Sequence, residues 1–130
     1  WNEFECGSNY ARSMASYALL NAFSGFQFNM VRKEVGFRPV RMVDGNFRCF
    51  WSLDSGWGEF ELTPARAELR LLYGRLDLNA LTLPLAEGQA VASVRVGDAP
   101  VPFTTTTAGK LLLSDGVRLV QGSPMTVMFA

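Results

Sequence analysis

Histidine is absent from this chain. Its absence removes the Ser-His-Asp triad, the Cys-His pair and every His-bearing metal site from what the chain could do alone. Cysteine is scarce, with Cys6 and Cys49 the only two. They could form one bridge at most, nothing places them in mutual reach, and free buried thiols are the simpler expectation. An excess of charge of either sign is missing too. Basic and acidic residues number 12 each and the pI lies near 6.5, with no Lys/Arg cluster interleaved with aromatics, so nucleic acid is excluded as an expected partner. The apolar runs are far too short to cross a bilayer. A phosphate-cradling glycine loop is also lacking, because Gly56-Trp57-Gly58 has neither the further glycine nor a following helix. No metal or other cofactor is expected.

What is present is largely apolar. A hydrophobic content of 48% excludes intrinsic disorder, and 130 residues suit one domain with a modest core. The chain opens at Trp1, not Met, inside a dense polar-aromatic run, Trp1-Asn2-Glu3-Phe4-Glu5-Cys6-Gly7, that reads like the middle of a site. The expectation is the C-terminal piece of a larger protein. Signal peptides lie at true N-termini, so the compartment stays open, with the cytoplasm slightly favoured.

Three zones follow from pattern, and together they define a mainly β chain with one N-terminal helix. Residues 1–25 are helical, with Ser8 as the N-cap and Gly25 as the C-terminal stop. Ala11, Met14, Ala15, Tyr17, Ala18, Leu19, Leu20, Ala22 and Phe23 occupy nearly every face, and Arg12 is the one charge inside. A helix that is apolar all round expects cover on all sides. Left alone, it should drive the chain to form a homodimer, fold back on the sheet, or aggregate.

Residues 26–62, rich in aromatics and glycine, read as an extended connector. Short strands are expected at Phe26-Gln27-Phe28 and Val35-Gly36-Phe37, with a turn at Asp44-Gly45-Asn46. Residues 63–130 read as a small antiparallel β-sandwich. Ala67, Leu69, Leu71 and Tyr73 alternate with polar neighbours, and Leu76, Leu78 and Ala80 resume the period before a shift to Leu81 and Leu83 that suggests a bulge. Further strands are expected at Ala92 to Val96, Lys110 to Leu113, Val117 to Val120 and Thr126 to Phe129. Asp115-Gly116 and Gly122-Ser123-Pro124 act as hairpin-type separators. Thr104 to Thr107 suits an edge strand or loop.

Asp44, Asp54, Glu59 and Glu61 could be imagined as the paired acids of a glycosidase, but as turn residues and a solvated strand face they need no such role. Glu3, Glu5 and Arg12 are more informative. A guanidinium on a helix without a water-facing side needs a partner. Pattern alone favours an internal ion pair that anchors the helix start. The same groups could clamp vicinal sugar hydroxyls, the carboxylate accepting two O–H bonds while the planar guanidinium donates to the oxygens.

The stretch from Asn2 to Phe26, N-E-F-E-C-G-S-N-Y-A-R-S-M-A-S-Y-A-L-L-N-A-F-S-G-F, resembles the C-terminal signature of glycoside hydrolase family 116. That family contains bacterial and archaeal β-glucosidases and non-lysosomal glucosylceramidases. Val35-Gly36-Phe37-Arg38-Pro39 and Gly56-Trp57-Gly58-Glu59-Phe60 resemble further family elements in the expected order. The resemblance implies that the helix is the last of an (α/α)6 barrel and that Glu3 and Arg12 hold a glucosyl unit of a β-glucoside or glucosyl lipid. It gives Glu5, Cys6 and Asn9 supporting roles, Asn9 standing where the family commonly has histidine. The catalytic glutamate and aspartate would lie upstream, in a catalytic barrel outside this chain, and would cleave with retention through a covalent glycosyl-enzyme.

A reading from another class is a non-catalytic carbohydrate-binding or structural β-sandwich module, with Trp51 and Trp57 as a stacking platform. Against that platform stands the plainer expectation that both tryptophans are core aromatics.

Overall fold

The computed structural model describes the main chain of residues 10–130 and the side chains of residues 16–130. Glu3, Glu5, Cys6, Ser8 and Asn9 lie outside the described residues, as does the Arg12 side chain. One helix, α1 (Tyr10–Ser24), precedes eleven strands among the described residues. The strands form two sheets around a shared core, so the mainly β architecture with an N-terminal helix is the observed one.

The end of α1 is built as the sequence implies. Gly25 adopts φ +58°, the left-handed conformation that glycine takes at least cost after a helix. The Phe26 N–H then reaches back to the Asn21 carbonyl at 3.2 Å, the long return bond of a Schellman close. Ser24 Oγ donates to the Leu20 carbonyl at 2.7 Å and accepts from the Phe26 N–H at 3.2 Å. Two carbonyls left over at the helix end are taken by the segment around Pro39: Arg38 N–H bonds Ser24 O at 3.0 Å and Val40 N–H bonds Phe23 O at 3.1 Å.

The first sheet runs β1 (Gln27–Asn29), β2 (Glu34–Gly36), β6 (Leu76–Thr82), β10 (Lys110–Leu119), β9 (Phe103–Thr105). The second runs β3 (Phe47–Leu53), β4 (Gly56–Leu62), β5 (Arg66–Gly74), β11 (Met125–Phe129), β7 (Val91–Val96), β8 (Ala99–Pro100). Residues 26–62 are therefore not merely an extended connector, since they supply β1 and β2 to one sheet and β3 and β4 to the other. Nor is the sandwich wholly antiparallel, because β2 pairs with β6 in parallel. Three intervening strands, β3 to β5, provide the crossover that a parallel pair requires.

Local chemistry explains the turn before β3 and the placement of two edge strands. Asp44 and Gly45 both take positive φ, 52° and 75°, and Val43 and Asn46 exchange both backbone hydrogen bonds at 3.0 and 2.8 Å. This is the two-residue turn whose twist suits a hairpin. The threonine run begins on edge strand β9, and Pro100 sits on edge strand β8, where a missing N–H costs no ladder bond.

Two expectations need correction. Asp115-Gly116 does not end a hairpin. Lys110 to Leu112 and Val117 to Leu119 belong to one strand, β10, which pairs with β6 on both sides of an irregularity between Leu112 and Val117. The extra residues therefore lie on β10, and not at the Leu81 register shift of β6.

The core lies between the sheets. Leu69, Leu76, Leu78, Leu111, Leu119, Met125 and Val127 are fully or almost fully buried, together with Phe37, Trp51 and Phe60. Phe37 and Phe60 stack at 3.8 Å with an interplanar angle of 2°. Phe26 joins them at 5.2 Å from Phe37 and 6.5 Å from Trp51. Gly58 faces inward, where an added Cβ would stand 3.0 Å from the Trp51 indole and 1.9 Å from the Arg70 carbonyl oxygen. Gly58→Ala is accordingly expected to lower the unfolding free energy by about 1–3 kcal/mol, read as a reduced urea midpoint. Ser52→Ala, at an exposed position of β3, should leave the midpoint unchanged.

Candidate functional site

Arg12 lies in the first turn of α1, at the opposite end from Ser24, where the helix is joined to the sandwich. At the helical rise of about 1.5 Å per residue it is roughly 18 Å along the axis from Ser24. Glu3, Glu5 and Asn9, the carboxylates and amide expected to work with it, fall outside the described residues. What the described part of α1 contributes is its surface. Tyr17, Leu19, Leu20 and Phe23 are all exposed, Tyr17 by 76% and Phe23 by 60%, and Ser24 is the one buried helix residue among those described. Full burial of a large apolar side chain is worth about 1.5–3 kcal/mol, so a protein surface that covered these four would gain several kcal/mol.

Several acids of the sandwich fall into structural roles, and Glu61 stands half-buried on β4, opposite Arg48 and Glu68 in register. Asp44 occupies the hairpin turn, and Asp54 lies in the turn between β3 and β4. Arg48 Nη2 donates to both Glu59 carboxylate oxygens, at 2.8 and 2.7 Å, and Arg70 Nη1 donates to one of them at 3.4 Å. The Glu59 hydrogen bond and its negative charge raise the Arg48 pKa above its ordinary value. Arg70 also bonds Glu68, which a second cation, Arg66, approaches at 3.6 Å. On the other sheet Arg118 holds the Asp77 carboxyl below its ordinary pKa by a 2.7 Å hydrogen bond.

A hollow of about 530 Å³ opens between residues 83–89 and 105–109 beside Arg38, with Glu87 its single carboxylate. Carboxylates in the paired arrangement of a glycosidase do not line it. Among the described residues, no cluster of His, Cys, Asp and Glu is arranged to hold a metal ion.

The two tryptophans separate. Trp51 is a core residue at 1% exposure, whereas Trp57 is 39% exposed on the outer face of β4. Phe50 and Tyr73 flank Trp57 on that face, with ring centroids 5.8 and 6.0 Å away. A register shift between Trp57 and Gly58 pairs Trp57 with Tyr73 but Gly58 with Leu71. The extra residue of β5 thus turns Tyr73 to the outer face beside Trp57. Phe50 points outward by the plain alternation of β3, in which Phe47, Cys49 and Trp51 turn inward. The alternation along β5 alone groups Tyr73 with the inward Leu71.

Cys49 is free and half-buried on the inner side of β3. Burial pushes its thiol up to about 11. A thiolate is the reactive form, so Cys49 is poorly nucleophilic at neutral pH. No protein-family model and no curated protein matches the chain. Cys49 is expected to react slowly with a thiol-specific disulfide reagent at pH 8 and rapidly once urea unfolds the chain, a contrast read by absorbance.

Proposed function

We propose that this chain is the C-terminal portion of a retaining β-glucoside hydrolase of the family 116 type, supplying sugar-holding residues and not the catalytic carboxylates. The observation that carries this reading is the solvent-facing apolar surface of α1, from a helix whose sequence bears the family-like signature. An upstream helical barrel is the partner whose chemistry suits that surface, because helices with apolar residues on every side are stable only when surrounded by others.

In this reading Glu3 and Arg12 grip the outer hydroxyls of the glucosyl unit. The carboxylate accepts from two O–H groups and the guanidinium donates to their oxygens. Their contribution to rate is the part of that grip that strengthens as the ring distorts toward the transition state. The nucleophilic glutamate and the acid/base aspartate would stand on the barrel. The glucosidic bond would break as the nucleophile's bond to the anomeric carbon forms, the acid/base giving its proton to the departing oxygen. Water would then release the sugar with retained configuration.

Charge-assisted hydrogen bonds contribute about 1.5–3 kcal/mol each. In the polypeptide that carries this segment behind its barrel, Glu3→Gln and Arg12→Ala should each reduce kcat/KM for an aryl β-glucoside by about 10- to 100-fold, with the circular dichroism unchanged. Full activity in both variants would sink the proposal, as would an upstream coding sequence without a helical barrel.

The 130-residue chain by itself is expected to self-associate through α1, giving a homodimer or larger species in analytical ultracentrifugation. Leu19→Lys combined with Phe23→Lys should shift it to monomer.

A further inference from the structure

The proposed sugar grip leaves unused the one large aromatic cluster on the outer surface of the second sheet. Phe50, Trp57 and Tyr73 stand on three adjacent strands, β3, β4 and β5, and are 44%, 39% and 62% exposed. The Trp57 and Tyr73 rings lie within 21° of parallel, and Phe50 is inclined to Trp57 by 43°. Aromatic side chains of this size bury readily, and a sheet has no need of three of them in water.

The backbone is shaped to present them. An added Cβ at Gly56 would stand 2.5 Å from the Tyr73 carbonyl oxygen, and one at Gly58 would meet the neighbouring strand and the Trp51 indole. Glycines on both sides of Trp57 therefore let β4 approach β5 closely while Trp57 itself points out. The β5 bulge then brings Tyr73 alongside, and bulges that re-aim a side chain are over-represented beside binding and active sites.

Next to the rings runs a rail of opposite charges, Arg48, Glu59 and Arg70, already held by their mutual hydrogen bonds. Glu61, Glu68 and Arg66 lie beside them on the same face, so three acids offset three cations, and the rail offers donors and acceptors in fixed positions with no net positive charge. A phosphate backbone or an anionic membrane would find little attraction in it. A pyranose ring with equatorial hydroxyls has the matching character, with an apolar C–H face for the aromatic rings and a rim of O–H groups for the rail.

We infer that the outer face of β3, β4 and β5 is a saccharide-binding surface for a β-linked glucan chain, centred on Trp57 and separate from the proposed Glu3 and Arg12 grip. It stands on the sandwich alone and does not need the barrel. Cellohexaose added to the 130-residue chain should blue-shift the tryptophan emission in a saturable way, and the change should vanish in Trp57→Phe. Tyr73→Ala should weaken binding about tenfold, the scale of one lost aromatic contact, with the thermal midpoint nearly unchanged because Tyr73 is exposed. The inference is overturned if millimolar cellohexaose gives no saturable change, or if Tyr73→Ala binds as tightly as the parent chain. It is overturned equally if acrylamide fails to quench Trp57 without sugar, since that face would then be covered by protein.

Discussion

The stacked contact of Phe37 on Phe60 is the joint on which the rest of this molecule turns. Phe60 comes from the middle of β4 and Phe37 from the strand end that follows β2, so the contact pins one sheet to the other. Phe26 then packs against Phe37 directly after the helix stop. Through that single ring the exit direction of α1 is tied to the sandwich core. The Arg38 and Val40 amides complete the attachment by capping the helix carbonyls, which would otherwise be left without partners.

This joint gives physical content to the sequence elements that carry the resemblance. Ser24-Gly25-Phe26 ends the helix, Val35-Gly36-Phe37-Arg38-Pro39 receives it, and Gly56-Trp57-Gly58-Glu59-Phe60 forms the floor beneath both. Each glycine in them has a neighbour that leaves no room for a side chain. At Gly25 an added Cβ would fall 2.1 Å from the Arg38 carbonyl oxygen, and at Gly36 it would press on the Thr82 side chain at 3.0 Å. Apart from Trp57 and Glu59, which face outward on β4, these elements are architectural wherever they are described, and none supplies a reactive group. On the proposed reading only the opening run, with Glu3 and Arg12, touches substrate.

Much of the sandwich was legible because its signals are local. The Asp44-Gly45 turn, the edge position of the threonine run and the alternating apolar residues of β5 and β6 each follow from a few neighbouring residues. What could not be read depends on partners distant in sequence. Asp115-Gly116 has the same composition whether it closes a hairpin or swells a strand, and the pairing of β6 along both halves of β10 decides between them. The parallel pairing of β2 with β6 left no mark, since β2 contributes only three residues and strand direction is not encoded in so short a run. Tyr73 turned outward through a bulge opposite Trp57, which the alternation of β5 alone does not contain. Glu3 and Arg12 stood out only as charges near an apolar helix, and the resemblance alone favours a sugar grip over an internal ion pair.

The sandwich and the helix differ in how complete they are. Every buried apolar side chain among the described residues belongs to residues 35–127, so the core closes without help from α1. The helix is held at one end by hydrogen bonds and by Phe26, while its described apolar side chains, Tyr17, Leu19, Leu20 and Phe23, remain in solvent. If Arg12 grips a sugar, the stiffness of that one attachment matters to chemistry. A tilt of about 5° at the Ser24 end would carry the Arg12 end sideways by roughly 1.5 Å over a helix of this rise, and a displacement of about 1 Å in a positioning group can cost on the order of 100-fold in rate. On that reading the dense aromatic joint is more than packing. Together with the helices of the proposed barrel, it would restrict the angle at which the helix presents its far end, and a loosened joint would be felt at the sugar some 18 Å away without touching it.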